Sequence, residues 1–471
     1  MALRPRLKAL FVPLGILVIG LLSAFLLSKL RRVRAWMTRC LKVFLPVRSS
    51  TELKPMTEET ITAPTEAANG PGPKIPRVNL RTPAVMAAVQ AQVESHYRSE
   101  VVEKLRAAGG TLSKGEVTVK LAKQFGFCYG VERAIDLAYA AAKVFTDRRL
   151  FILGEIIHNP EVNEQIRALG IKNLIGKGAE ARVDDLTASD VVIVPAFGTD
   201  VTTLARIKEI GSDIVDTTCG DVMSVWKRVR QNAQDDMTSV IHGKAAHEET
   251  KATASRAMSN GKGHYLIVLT LEDTDYVCDY IRRGGNKEEF LERFRGAHSD
   301  GFDPEVHLRR VGVANQTTMM RGETEEVQRR IMAAIRDRDG SGENKNYRFF
   351  DTICGATQER QDALKEMLDE PMDLLIVVGG YNSSNTSHLA EMGEQKLPTY
   401  FIRNASRLAS RDRITHYDLH ERTEIATENW LPRRPVTIGI TAGASCPNNL
   451  IEDAILRLYE LHGIGKAELL E

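Results

Sequence analysis

No two of the six cysteines form a local CxxC pair, and six in 471 residues are too few for a disulfide framework. The chain also lacks a GxxxxGKS loop, a GxGxxG that follows a strand, and an HExxH pair. P-loop nucleotide binding, Rossmann-type dinucleotide binding and zincin chemistry are therefore without support. An excess of one charge is missing too. The 63 Lys+Arg nearly balance 62 Asp+Glu, so no overall field invites nucleic acid, and no nucleic-acid partner is expected. What remains is ordinary globular composition, 43% apolar and 27% charged, in a chain long enough for two or three domains.

Three of the cysteines share a local setting. Asp216-Thr217-Thr218-Cys219-Gly220 and Asp351-Thr352-Ile353-Cys354-Gly355 each follow an apolar run and precede a helical pattern. Cys128, in Gly126-Phe127-Cys128-Tyr129-Gly130, follows 117–121 and precedes a helix face of Val131, Ala134, Ile135, Ala138 and Ala142. Each sulfur thus stands where a strand turns into a helix. A helix N-terminus favours the thiolate that metals require, and an adjacent glycine admits a bulky inorganic group. A lone buried cysteine is a small hydrophobe; three in repeated settings point to a metal. Three thiolates fit either zinc with a further non-cysteine ligand or an iron–sulfur cluster with one open iron. Either implies a reducing compartment. Cys40 and Cys278 lie in settings without chemical cues.

Residues 9–28 carry no charge and have the length of a membrane span, with basic residues on both sides and the heavier load after it. The positive-inside rule places the remainder in the cytoplasm, tethered to the inner face of the membrane. A cleaved signal peptide, or a start at Met37, Met56 or Met86, is the alternative. The expected organisation is a transmembrane segment at 1–46, a disordered linker rich in Pro, Thr, Glu and Gly at 47–85, and a helical leader at 86–116. Strand-like runs then alternate with amphipathic helices: 150–153, 191–194, 214–215, 240–242, 265–269, 311–314, 374–378, 399–402 and 436–440. This predicts α/β layers with mainly parallel strands, and the cysteine repeat suggests three αβα units at 117–218, 219–353 and 354–471.

Many of these strands end in small polar residues, where ligands of open α/β sheets bind. The Asn382-Ser383-Ser384-Asn385 loop is either a capped helix start or, with Thr317 and Ser445, a phosphate or diphosphate cradle. His247-Glu248-Glu249-Thr250, with His242 and Lys244 upstream, is the densest titratable cluster. It reads as an acidic helix start or as a proton donor beside an anion-binding histidine. His158-Asn159-Pro160 holds either a loop histidine or a phosphate donor.

Taken in order, the segments Phe125-Gly126-Phe127-Cys128-Tyr129-Gly130-Val131, Ile157-His158-Asn159, Asp216-Thr217-Thr218-Cys219, His247-Glu248-Glu249-Thr250, Asn315-Gln316-Thr317-Thr318, Cys354-Gly355-Ala356-Thr357, Asn382-Ser383-Ser384-Asn385 and Thr441-Ala442-Gly443-Ala444-Ser445 resemble the LytB/IspH family of 4-hydroxy-3-methylbut-2-enyl diphosphate reductases, over about 117–463 and in its plant and cyanobacterial branch. The resemblance implies a three-lobed (trefoil) fold around a [4Fe–4S] cluster held by Cys128, Cys219 and Cys354, whose fourth iron binds the substrate hydroxyl. It implies Glu249 as proton-delivering carboxylate, Thr317 as the hydroxyl that positions the substrate alcohol, and His158, His247, Ser383, Ser384, Asn385 and Ser445 as diphosphate contacts. The implied reaction is reductive dehydroxylation of an allylic diphosphate in the non-mevalonate isoprenoid pathway, giving isopentenyl and dimethylallyl diphosphates, with a ferredoxin or flavodoxin as electron donor. The chain departs from the family at Phe197, where many members carry histidine; compensation by His242 or Lys244 is the expectation. Gly220 replaces a frequent proline, and Cys446 is an extra thiol that is not counted as a ligand.

Overall fold

In the computed structural model, residues 80–470 are described, apart from 177, 259–260, 262 and 341–344. Val191–Val194 and Leu374–Val378 are buried at every position, as strands covered on both faces require, and consist of the aliphatic residues that such burial selects. Helices between these strands cover the faces, so the fold is α/β. Three sheets result. One runs Lys172–Asn173, Leu150–Ile152, Val191–Val194, Asp213–Asp216, all parallel. A second runs Tyr347–Phe349, Val311–Asn315, Thr238–His242, Tyr265–Val268, again all parallel.

The third sheet has seven strands, in the order Thr111–Lys114, Val117–Leu121, Val436–Ala442, Leu374–Val378, Thr399–Ile402, Arg413–Asp418, Thr423–Glu428. Its centre is parallel and its two margins antiparallel. Val117–Leu121 stands at the head of the 117–218 stretch, yet it pairs with Val436–Ala442 near the other end of the chain. In that register Ile440 lies opposite Leu121 on one side and Ile376 on the other, inside a core that also takes in Val119, Ile438, Ile455 and Leu458.

Each strand-like run read from the sequence is a strand. The hairpin Arg413–Asp418 with Thr423–Glu428 was not foreseen. It is largely polar and half exposed, with no apolar run to announce it. The expected leader 86–116 is two helices and a strand: Pro83–Tyr97, Glu100–Ala107 and Thr111–Lys114. The first helix starts ahead of 86 because Thr82 accepts from the Val85 amide at 3.4 Å and Pro83 suits the first turn. It buries Val89 and Tyr97 against the helix Tyr129–Val144. Among the described residues no helix is long and apolar enough to cross a membrane. The expected span at 9–28, Cys40 and the linker up to residue 79 lie outside the described residues.

Ile440 is fully buried on the central strand. Ile440→Ala is expected to cost about 2–5 kcal/mol, measured as a lower urea midpoint at unchanged slope.

Candidate active site

The carboxyl ends of the strands deliver the candidate residues. Val117–Leu121 leads to Cys128, Asp213–Asp216 to Cys219 and Tyr347–Phe349 to Cys354. Each of these cysteines is the N-cap of the helix that follows, with extended backbone angles. Each cysteine amide donates to the carbonyl of a neighbouring strand end: Cys128 to Ala444 at 3.2 Å, Cys219 to Ala196 at 2.8 Å, Cys354 to Thr317 at 3.2 Å. The three thiols therefore line a single cavity of about 670 Å³. Glu249, Thr317, His158, His247, Ser383, Ser384, Asn385 and Ser445 line the same cavity.

The sulfur end is built for something larger than one metal ion. Tetrahedral zinc holds its sulfurs roughly 3.8 Å apart, given Zn–S bonds of about 2.3 Å. Among the described residues, the group of His, Cys, Asp and Glu whose ligand atoms all fall within 4.8 Å of one another is His158, His247 and Glu248, not the thiols. The backbone is pared down here: a Cβ on Gly130 would lie 2.6 Å from Cys219 Sγ and 3.9 Å from Cys128 Sγ. Burial pushes the Cys219 thiol up and the Cys354 thiol up to about 12. Such thiols ionise only when a cation replaces the proton. A shared cavity, separated sulfurs, helix N-termini and a glycine clearance together fit an iron–sulfur cluster.

Between the sulfurs and the polar end sits Glu249, completely buried. Thr317 donates to it twice, from the amide to Oε1 at 2.6 Å and from Oγ1 to Oε2 at 3.0 Å. Burial outweighs both bonds and lifts its carboxyl to about 7. His247 caps the same helix by accepting from the Glu249 amide at 3.1 Å, and burial, then the neighbours His158, Lys244 and Lys251, hold its imidazole well below the ordinary range.

The polar end is preassembled. His158 Nδ1 pairs with Glu155 at 3.0 Å, and Asn382 donates to the same carboxylate oxygen at 2.7 Å, leaving His158 Nε2 buried without a hydrogen-bond partner. Asn385 accepts from the Ala444 amide at 2.8 Å, while its Nδ2 is likewise unpartnered. Ser445 Oγ donates to the His158 carbonyl at 3.2 Å and lies 3.4 Å from Ser383 Oγ. Gln316 was not assigned a role from the sequence, and it ties the loops together. Its Nε2 donates to Ser384 at 3.1 Å and Thr318 at 2.9 Å, and its Oε1 accepts from Lys244 and Thr250. Asn385 Nδ2 is thus a spare donor in the cavity lining, and His158 Nε2, 3.8 Å from Glu248 Oε2, becomes a second one when the ring carries both protons, as an anion requires.

The expectation about Phe197 is corrected. His242 does not line the cavity; it is buried against Thr324 at 2.8 Å, and desolvation holds it at about 4. Lys244 is not among the lining residues either. Phe197 instead stacks flat on His158, 4.6 Å between ring centroids and 8° between planes, so it holds the imidazole without bonding to an anion. Cys446 is fully buried outside the cavity with its Sγ facing the Pro447 carbonyl, and Cys278 lies in a hydrophobic core.

A carboxyl raised to about 7 favours folding while protonated, and that contribution is lost as pH rises from the ordinary glutamate value near 4.3 through about 7. Wild type is therefore expected to lose on the order of 3 kcal/mol relative to Glu249→Gln between about pH 4.5 and about pH 8. Urea unfolding of the metal-free proteins at both ends of that range measures it.

Comparison with known proteins agrees with the geometry. The LytB protein family matches residues 119–459. The 4-hydroxy-3-methylbut-2-enyl diphosphate reductase of Gloeobacter violaceus is 46% identical over 387 residues, 81% of this chain and 92% of the relative. That of Thermosynechococcus vestitus is 45% identical over 379 residues, 80% of this chain and 93% of the relative. Among solved structures, the E-1-hydroxy-2-methyl-but-2-enyl-4-diphosphate reductase from Plasmodium falciparum shares the fold with a TM-score of 0.52 at 20% identity, over 72% of this chain and 86% of that one. Matched over residues 119–459 and across four-fifths of its length to these relatives, the chain belongs to the LytB family.

Proposed function

We propose that the chain reduces (E)-4-hydroxy-3-methylbut-2-enyl diphosphate to isopentenyl and dimethylallyl diphosphates, taking up two electrons and two protons and releasing water. The observation that carries this reading is one cavity lined by three half-buried thiols, by the unpartnered His158 Nε2 and Asn385 Nδ2, and by a protonatable carboxyl. Cys128, Cys219 and Cys354 would hold a [4Fe–4S] cluster at the centre of a three-lobed arrangement of the units 117–218, 219–353 and 354–471. The strand Val117–Leu121, paired into the sheet of the last unit, ties the first to it. When bound, the cluster supplies one-electron transfers and Lewis acidity toward the alcohol oxygen. A ferredoxin or flavodoxin is the matching class of electron donor.

The chain's own groups do the rest. His158, His247, Ser383, Ser384, Asn385 and Ser445 bind the diphosphate, and that remote binding energy orients the reacting end. Glu249, near half-protonated at neutral pH, holds a proton where the departing hydroxyl needs it, and Thr317 passes it on while positioning the alcohol.

Anaerobically purified protein is expected to hold about four iron and four sulfide per chain and to consume the allylic diphosphate with a one-electron reductant. Serine at Cys128, Cys219 or Cys354 should deplete the cluster and cut turnover by at least about a hundredfold. A serine variant with full iron and full turnover would remove the reading. Diphosphate should also draw a proton onto His247, which burial keeps neutral. Calorimetry with inorganic diphosphate in two buffers of different ionisation heat is expected to show net proton uptake at pH 7 and tighter binding at lower pH. Proton release on binding would contradict that role.

A further inference from the structure

Each helix headed by one of the cysteines carries an arginine that reaches the chain just ahead of another cysteine. From Tyr129–Val144, headed by Cys128, Arg133 Nη1 donates to the Thr217 and Thr218 carbonyls at 3.2 Å each, and Nη2 to Asp216 at 3.5 Å. These residues run directly into Cys219. From Gly220–Gln234, headed by Cys219, Arg228 lies over the Phe350 ring, 4.5 Å from its centroid, on the approach to Cys354. From Gly355–Leu368, headed by Cys354, Arg360 Nη2 donates to the Gly126 carbonyl at 2.6 Å and to Phe127 at 3.2 Å, and Nε to Gly126 at 3.1 Å. Those carbonyls lead into Cys128. The sequence of contacts, 128 to 219 to 354 and back to 128, is closed.

We propose that Arg133, Arg228 and Arg360 are positioning residues that lock the three cysteine loops to one another, and that Arg360 also raises the reduction potential of the cluster they hold. The inference rests on the cluster reading given under Proposed function. The carbonyls just before a cysteine that caps a helix lie outside the helix's own hydrogen bonding and need other donors. The guanidinium fork satisfies two or three such carbonyls at once, which an ammonium on a flexible stem does less well. The forks of Arg133 and Arg360 therefore each fix one cysteine loop to the helix of another, Arg228 makes the third link through the Phe350 ring alone, and the closed order leaves none of the three loops free to drift by itself. Arg360 has a second effect. It is 3% exposed and lines the same cavity as Cys128 and Cys354. A buried cation there is weakly screened and favours the more negative, reduced cluster.

The test uses the full chain, purified anaerobically, with Arg133→Lys, Arg228→Gln, Arg360→Lys and Arg360→Gln. Arg329→Gln serves as control, since Arg329 pairs with Glu326 on an exposed helix face. Circular dichroism establishes folding, a ferrous chelator reads the rate of iron loss, and an EPR-monitored redox titration reads the midpoint potential. The three ring positions are expected to fold and load iron but to release it about ten- to a hundredfold faster than wild type, with the control unchanged. Arg360→Gln should shift the midpoint to a more negative value, and Arg360→Lys, which keeps the charge, should stay near wild type. Should Arg360→Gln not fold, Arg133→Lys and Arg360→Lys decide the matter by iron retention. Folded variants that keep iron as long as wild type, at an unchanged potential, overturn the ring. Wild-type protein that takes up neither iron nor sulfide overturns the cluster reading itself, and the ring with it.

Discussion

Gathering three half-buried thiols around one cavity is the constraint to which the rest of the architecture answers. Burial, with Cys128 and Glu249 adding to it, drives the Cys354 thiol up to about 12. The compensations are all local: each cysteine caps a helix, each amide is tied to a neighbouring strand end, and Gly130 clears the space where a Cβ would press on Cys219. The parallel sheets serve this end. They bring strand termini from distant parts of the chain to the same side, where loop chemistry can be combined.

The opposite end of the cavity follows a different logic. Burial holds His247 neutral, and two polar atoms, His158 Nε2 and Asn385 Nδ2, are left unpartnered while the other polar atoms of those side chains are fixed by neighbours. Rigid, underused donors bind an anion with little reorganisation. Gln316, with four hydrogen bonds to four loops or helices, explains how serine and threonine hydroxyls that look like ordinary turn residues acquire fixed directions.

The parts legible in the sequence were those written locally. Aliphatic runs such as Val191–Val194 announce covered strands, and the Asp-Thr-x-Cys-Gly repeat announces two of the three strand-to-helix turns. Side chains acting across the chain left no such trace. Arg133 and Arg360 sit among charged residues on helices with nothing in their spacing to mark them, and Glu155 becomes meaningful only once Asn382 is folded onto it. Phe197 looked like a lost phosphate contact, and its real partner, the His158 ring, cannot be found by spacing. The polar hairpin at Arg413–Asp418 and Thr423–Glu428 escaped for the opposite reason, since it is stabilised by pairing to a sheet margin rather than by an apolar face.

The pairing of Val117–Leu121 with Val436–Ala442, together with the bond from the Cys128 amide to Ala444, bears on how the protein is made. Nascent chains emerge N-terminal end first, and contacts so far apart in sequence form late. Cys128, the first of the three in the chain, must wait for the last of the described strands before its surroundings exist. An inorganic group held by Cys128 would thus find its full surroundings only after synthesis has passed Ala444.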